Sequence, residues 1–339
     1  MEALFLVKNG KSDLAFEKRA IQVENPNEGE VQITVESFGI NYADVMARNG
    51  LYRETPDLPC VLGYEVMGTI TKVGQSVDQN LMGKKVVAFT RFGGYSKIVN
   101  ANLSALAVID HARPKEALAL ATQYVTAYYM AFYCNGIHPN DNVLIHASAG
   151  GVGTALIQLA KLKGARVFGT ASSKTKLDYI KSQGADYAIN YLENDYSEII
   201  QKQLGEQKLD ATFNPIAGST FKKDLSLLNA GGKLFLYGGS ERSGKKWGLF
   251  STLNFVRKMG RMIPIGLMMT SKSVLGVNML KIGDHKPEVL ATCLREVVKL
   301  WQEEKIKPQI ASEFNAKDIA EAHSFMENRK SIGKIIVSW

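Results

Sequence analysis

The chain has 339 residues, enough for two domains, and its 45% apolar and 22% charged residues are the balance of a folded globular protein rather than a disordered or fibrous one. A net charge of +8 would suit nucleic acid, but the basic residues are spread along the chain among acids, so a basic solvated surface or affinity for small anions is expected and nucleic-acid binding is not. Three cysteines (Cys60, Cys134, Cys293) lie far apart, which excludes CxxC-type zinc or redox motifs and gives no disulfide framework.

The opening "MEALFLVKNGKSDLAFEKRA" has a short apolar run ended by Lys8 and does not read as a signal peptide. No segment reaches the ~18–20 apolar residues of a membrane-spanning helix. "KIIVSW" carries no prenylation signal, and a cytoplasmic location is expected. The first hundred residues read as β-rich, with runs such as "ALFLV", "LAFEKRAIQV" and "EVQITVESFGI". "YADVMARNG" reads as a short helix closed by Gly50, and "VMGTITKVG", "KKVVAF" and "GYSKIVN" follow as further strands. Short strands punctuated by glycine predict a small, irregular β-barrel or sandwich.

Near residue 114 the pattern changes, and "PKEALALATQYVTAYYMAFYCNG" has the apolar spacing of one long helix or two in succession. Strands "NVLIHA", "RVFGTA", "YAIN", "ATFNPI" and "KLFLYGG" then alternate with helices "GTALIQLAKLKG", "KTKLDYIKSQG", "DYSEIIQKQLG" and "FKKDLSLLNAGG". This alternation predicts a parallel sheet covered on both faces. A basic, apolar stretch at about 241–272 interrupts it, "SVLGVNM" reads as one more strand, and the end, "IASEFNAKDIAEAHSFMENRKSIGKIIV", returns to short mixed elements that would complete the first domain.

"VLIHASAGGVG" is a strand, a turn with Gly150, Gly151 and Gly153, and a helix start, the context that a dinucleotide fingerprint requires, although Ser148 stands where its first glycine would be. Gly150 would let backbone approach a pyrophosphate at the helix N-terminus, and Gly153 would let helix and strand pack closely. A site selective for NADH places an acid ~20 residues on, to hold the ribose hydroxyls. "RVFGTASSKTK" has none and offers Thr170, Ser172, Ser173, Lys174 and Lys176, donors and cations suited to a 2′-phosphate, so NADPH is the expected cofactor.

The stretches "GINYADVMARNGLY", "LPCVLGYEVMGTITKVG", "GGYSKIV", "TQYVTAYY", "HASAGGVG", "GTASS" and "SIGKIIV" together resemble the zinc-free quinone oxidoreductase branch of the medium-chain dehydrogenase/reductase superfamily. "FNPIAGSTFKKDLSLLNAGGKLFLYG" and the basic segment after it look most like its synaptic vesicle membrane protein homologue group. The resemblance implies an α/β chain: a GroES-like catalytic domain from both ends (1–124 and 281–339), a Rossmann NADPH-binding domain at 125–280, and the cofactor in a cleft. It further implies a homodimer joined along sheet edges at "SVLGVNM".

Zinc-dependent relatives carry Cys and His where this chain has Asn41 and Tyr64, and a four-cysteine lobe that is missing around residue 90. Zinc needs converging thiolate, imidazole or carboxylate ligands, which Glu65 and Asp44 alone do not supply, so no metal is expected. Without a Lewis acid the substrate must accept hydride readily, as quinones and α,β-unsaturated carbonyls do, while the protein supplies position and a donor to the developing oxyanion. The candidate catalytic donors are Asn41, Tyr52 and Tyr64. Each has an ordinary alternative: Asn41 as cap of the helix near Tyr42, Tyr52 as a packed aromatic, and Tyr64 as a lining group. Asp44 is expected at a helix start and Glu65 in a structural role.

For the cofactor, the resemblance carries over onto Thr126, Gly150, Gly151 and Val152. Ser172, Lys176 and Tyr191 fall at the adenosine end, with Lys174 competing with Lys176, and Gly238 falls at the nicotinamide side. Lys334 in "GK" is a further phosphate candidate, and Asn214 stands where many relatives have Asp. Residues 240–272 mix cations with Trp247, Phe250, Phe255, Ile263, Leu267 and neighbouring methionines. Three readings stay open for them: a packed insertion, a Met-rich substrate lid, or contact with an anionic membrane. The expected activity is zinc-independent, NADPH-dependent reduction of a quinone or enone. The alternative is a peripheral membrane or lipid-binding protein that retains the fold.

Overall fold

The computed structural model describes residues 1–109, 113–242, 248–260 and 262–339; His111 and Trp247 lie outside the described residues, as does the side chain of Phe250. The chain divides into two compact units, one of Met1–Thr126 with Met279–Trp339 and the other of Ala127–Asn278. Each junction is two residues from the boundary expected at 124/125 and 280/281.

The discontinuous unit is built on a seven-stranded sheet. Its order is Ile310–Asn315, Lys334–Ser338, Glu30–Ile40, Glu65–Val73, Lys85–Phe89 and Leu106–Val108, with Ile98–Asn102 paired to Glu30–Ile40. Lys334–Ser338 therefore lies inside the sheet, parallel to one neighbour and antiparallel to the other, with Ile335 opposite Ile40. Alternation explains the long strand Glu30–Ile40: Val31, Ile33 and Val35 are buried and Thr34 and Glu36 face outward. A smaller sheet joins Phe16–Ala20, Glu2–Leu6 and Cys60–Val61. Helix Tyr42–Arg48 follows the long strand directly, and Gly50 beyond it takes a positive φ of 67°.

Two helices in this unit, Met279–His285 and Pro287–Gln302, lie in a stretch to which the sequence reading assigns no element. The second buries Val289, Leu290, Cys293, Leu294, Val297, Val298 and Trp301, a three-and-four spacing that draws one stripe along it. Cys293 is thus a core residue.

The continuous unit carries a six-stranded, all-parallel sheet in the order Tyr187–Asn190, Arg166–Ala171, Asn142–Ile145, Leu209–Asn214, Leu228–Leu236, Ser273–Gly276. Numbered within the unit this is 3-2-1-4-5-6, the Rossmann-type winding, and Ser273–Gly276 is an edge strand. Tyr196, Ile200 and Leu204 on one helix and Phe221 and Leu227 on the next join Leu144, Phe168, Ile189, Leu209, Leu228 and Leu234 in one core. The winding reverses between Asn142–Ile145 and Leu209–Asn214, which makes the C-terminal ends of those strands the expected ligand crevice. The helical run 117–135 widens into π-type turns over Leu120–Tyr124 and Tyr129–Asn135.

Candidate functional site

In the discontinuous unit the strand register brings four chemically active side chains together. Asn41 ends the strand Glu30–Ile40, and Asp44 in the first turn of the following helix accepts the Asn41 backbone N–H at 2.8 Å. The other Asp44 oxygen accepts the backbone N–H of Gly63 at 3.1 Å, which ties the helix to the segment carrying Tyr64 and Glu65. Asn41 Nδ2 donates to Glu65 Oε1 at 2.8 Å, while Lys334 Nζ donates to Asn41 Oδ1 at 3.0 Å and forms an ion pair with Glu65. The pair lies across Gly39, where a Cβ would overlap both Glu65 Oε1 and Lys334 Cε. Only a residue without a side chain fits beneath it.

Lys334 is 1% exposed, and its ammonium is held by Glu65, Asn41 and the carbonyl of Ile40. Asn41 is likewise engaged at both ends of its amide, which leaves one Nδ2 hydrogen for any other acceptor.

Tyr52 and Tyr64 come together edge to face, with ring centroids 6.3 Å apart. Burial, then the charges of Glu54 and Asp44, push the Tyr52 hydroxyl up to about 12; burial, then Asp44, pushes Tyr64 higher still. Both phenols stay protonated near neutral pH and serve as O–H donors. The Tyr64 hydroxyl is buried and has no hydrogen-bond partner among the described residues, the state of a donor waiting for an acceptor. Burial also raises Asp44, up to about 8, against the two backbone N–H groups it accepts, and the charge of Glu65 adds to the rise. Glu65 is raised by burial and held down by Lys334 and Asn41.

In the continuous unit, Gly150 caps the helix Gly151–Leu162 without any side-chain contact, so Gly151 and Val152 begin the helix with no side chain satisfying their N–H groups. A Cβ on Gly153 would lie 2.6 Å from both the Ala147 carbonyl oxygen and Ser148 Cα, so the close passage of helix over turn requires glycine. The turn sits at the winding reversal. Beyond Arg166–Ala171, Ser173 caps the helix Lys174–Ser182, and Lys174 pairs with Asp178 at 3.1 Å while its side chain stays 89% exposed. Ser172 and Lys176 are half-buried beside them, and the Tyr191 backbone N–H bonds the Ala171 carbonyl at 3.2 Å, bringing Tyr191 to the same strand end. Gly238 is exposed beyond Leu228–Leu236, and Thr126, the last residue of the other unit before the junction, donates its hydroxyl back to the Thr122 carbonyl. Among the described residues no group of three or more His, Cys, Asp or Glu side chains converges as a metal site.

Residues 240–272 form the helices Gly248–Met259 and Pro264–Thr270. One side is anchored: Glu241 accepts the Ser219 N–H at 2.6 Å and pairs with Lys258, and the Phe255 ring lies against Gly218 and Gly239. The other side shows Leu253, Val256, Ile263, Ile265, Met268 and Met269 at 57–82% exposure. No described helix is long and apolar enough to cross a membrane.

Sequence reasoning missed two buried polar groupings. Tyr95 and His323 meet at 3.1 Å, where burial and Arg48 hold the imidazole down to about 3. His146 meets Asp224 at 3.0 Å beneath the glycine turn. Neither has a local signal, because the partners are 228 and 78 residues apart.

Comparison with known proteins agrees with this geometry. Residues 27–112 match the alcohol dehydrogenase GroES-like domain and residues 151–304 the zinc-binding dehydrogenase domain. The chain is 34% identical over 91% of its length to a synaptic vesicle membrane protein VAT-1 homolog of Danio rerio, of which it spans 64%. It is 30% identical over 97% of its length to the Rattus norvegicus homolog, of which it covers 81%. Among solved structures, Escherichia coli quinone oxidoreductase complexed with NADPH superposes with a TM-score of 0.87 at 26% identity, each chain fully covered. The CurK enoyl reductase superposes at 0.84, also at 26% identity, with 99% and 98% covered. The chain belongs to the medium-chain dehydrogenase/reductase superfamily, among the relatives of the VAT-1 homologues and the quinone oxidoreductases.

Proposed function

We propose that this protein is an NADPH-dependent oxidoreductase that delivers hydride to a quinone or an α,β-unsaturated carbonyl without a catalytic metal. The observation that carries it is the glycine turn at the winding reversal, followed on the neighbouring strand by Ser172, Lys174 and Lys176 with no carboxylate among residues 166–177. The helix start at Gly150, Gly151 and Val152 suits a pyrophosphate, the serine and lysines suit a 2′-phosphate, and Tyr191 suits the adenosine end. NADPH, when bound, supplies the hydride.

The chain's own contribution to the chemistry falls to Tyr64 and Tyr52. Each is a protonated donor suited to the oxygen on which enolate or quinolate charge develops, and the partnerless Tyr64 hydroxyl is the stronger candidate. Asn41 orients Glu65 and Lys334 and has one N–H left for the same oxygen. A homodimer through the exposed edge of Ser273–Gly276 is part of this reading.

The test is NADPH consumption, with NADH as control, across short quinones, 2-alkenals and cyclic enones. Turnover with one class and at least tenfold preference for NADPH, lost in K174A/K176A, is expected. Equal use of NADH by the wild type would sink the phosphate site.

A second reading, peripheral contact with an anionic bilayer, is favoured by the exposed apolar side of Gly248–Met259 and Pro264–Thr270 in a segment with seven basic residues and one acidic. Co-sedimentation with phosphatidylserine vesicles that is lost in M268S/M269S would support it. Vesicle binding unchanged by those substitutions would remove it.

A further inference from the structure

One buried network in the continuous unit has no part in the reading above. Its centre is Asp224, fully buried on the helix Phe221–Leu227 with no lysine or arginine among its hydrogen-bond donors in the described residues. It accepts His146 Nε2 at 3.0 Å, the Tyr196 hydroxyl at 2.8 Å and Asn214 Nδ2 at 2.5 Å. A carboxylate only accepts, so the His146 proton sits on Nε2, and in the neutral ring Nδ1 then accepts from the Thr170 hydroxyl 3.2 Å away. Asn214 is saturated: its Nδ2 also donates to Thr220 Oγ1 at 2.7 Å, and its Oδ1 accepts the backbone N–H groups of Ile216 and Ala217 at 2.7 and 2.8 Å.

The three strand residues in this network stand at the ends of neighbouring strands. Thr170 is at the end of Arg166–Ala171, His146 directly follows Asn142–Ile145, and Asn214 ends Leu209–Asn214. Backbone hydrogen bonds tie the strand ends themselves, His146 N–H to the Phe213 carbonyl at 3.0 Å and Ser148 N–H to the Thr170 carbonyl at 3.1 Å. The side-chain network adds to these bonds and reaches the loops: Thr170 lies two residues before Ser172, and Asn214 pins the turn 215–217, whose Pro215 carbonyl accepts the Ser240 N–H at 3.0 Å just past Gly238. One loop carries the residues assigned to the 2′-phosphate, and the other bonds the segment just past Gly238, the residue assigned to the nicotinamide side.

We infer that His146, Asp224 and Asn214 are positioning residues for the dinucleotide, holding the 2′-phosphate loop and the turn after Leu209–Asn214 at the separation a complete cofactor needs. The inference rests on the NADPH reading. It also accounts for the amide at position 214: a carboxylate there would face Asp224 and lose the donor to Thr220. Ligands that span both loops gain from this preorganisation, whereas a fragment touching one loop does not.

The test compares binding of NADPH and of 2′,5′-ADP to the full chain by calorimetry. For H146F the expected result is a roughly tenfold rise in the Kd for NADPH and a change of less than about twofold for 2′,5′-ADP. Equal changes in both, or none, would mean the network only supports the fold, and would overturn the inference. Should H146F not fold, N214D and the exchanged pair N214D/D224N decide. The single variant is expected to raise the ratio of the two Kd values about tenfold, and the exchange, which restores one carboxylate facing one amide, to bring it back to within about threefold. An exchange that leaves the ratio raised overturns the inference. Wild-type protein that binds neither probe removes the cofactor reading itself, an outcome distinct from equal binding by wild type and variants.

Discussion

Replacing Lys334 by Met tests the buried pair directly. Lys334 is 1% exposed and Glu65 is fully buried, and one Glu65 oxygen receives both Lys334 and Asn41 while the other has no partner among the described residues. The methionine fills similar volume but leaves a carboxylate in a dry site with one amide donor. Removing one member of a buried ion pair costs about 3–5 kcal/mol, which for a domain of this size lowers Tm by roughly 6–20 °C. Glu65 can escape by taking up a proton, and burial already raises its affinity for one. The native variant then holds a proton that the unfolded chain releases, so its deficit grows as pH rises above the ordinary carboxylate range. E65Q/K334M removes the charge and should recover most of the loss. Circular dichroism melts at pH 5 and pH 7.5 read all of this. A K334M protein melting within about 2 °C of wild type at pH 7.5, or a double variant no better than the single, would refute the reasoning.

G153A places a methyl against the backbone of Ala147 and Ser148, so a loss of about 1–3 kcal/mol in a urea titration is expected, with NADPH affinity falling at least tenfold; unchanged affinity would separate the turn from the cofactor. Asp44 is raised to about 8 from an unfolded value near 3.8, so between those limits the native chain holds the extra proton and stability falls as pH rises, levelling off above about 8. D44N should flatten that slope, and parallel wild-type and D44N profiles would show that Asp44 does not titrate there. Y64F removes the partnerless hydroxyl; kcat is expected to fall about tenfold or more with Tm unchanged or higher, whereas full activity would assign the oxyanion to another donor.

Much of this was legible in the residues. The alternation of strand and helix from residue 142, the turn at Gly150–Gly153 and the helix after Asn41 each have local signals, and the structure has all three elements. The helix Pro287–Gln302 carries its own signal in the spacing of Val289, Cys293, Val297 and Trp301, which the sequence reading passes over. The buried pair of Lys334 with Glu65 has no local signal, because the carboxylate lies 269 residues away. Asn214 stood out as a departure, yet its reason, Asp224 on the following helix, shows only when the strand end and helix meet.

The place of Lys334–Ser338 inside its sheet bears on how the protein is made. A ribosome emits Glu30–Ile40 and Glu65–Val73 long before the strand that must lie beside them, and the whole of 127–278 emerges in between. That unit is contiguous and can fold as it appears, while its predecessor waits with an open strand edge and a carboxylate lacking its cation. Nascent chains arrested before residue 334 would carry one finished half and one adhesive half, a natural substrate for holdase chaperones and for degradation. A premature stop that deletes only a few terminal residues would on this account be as damaging as one that deletes a domain.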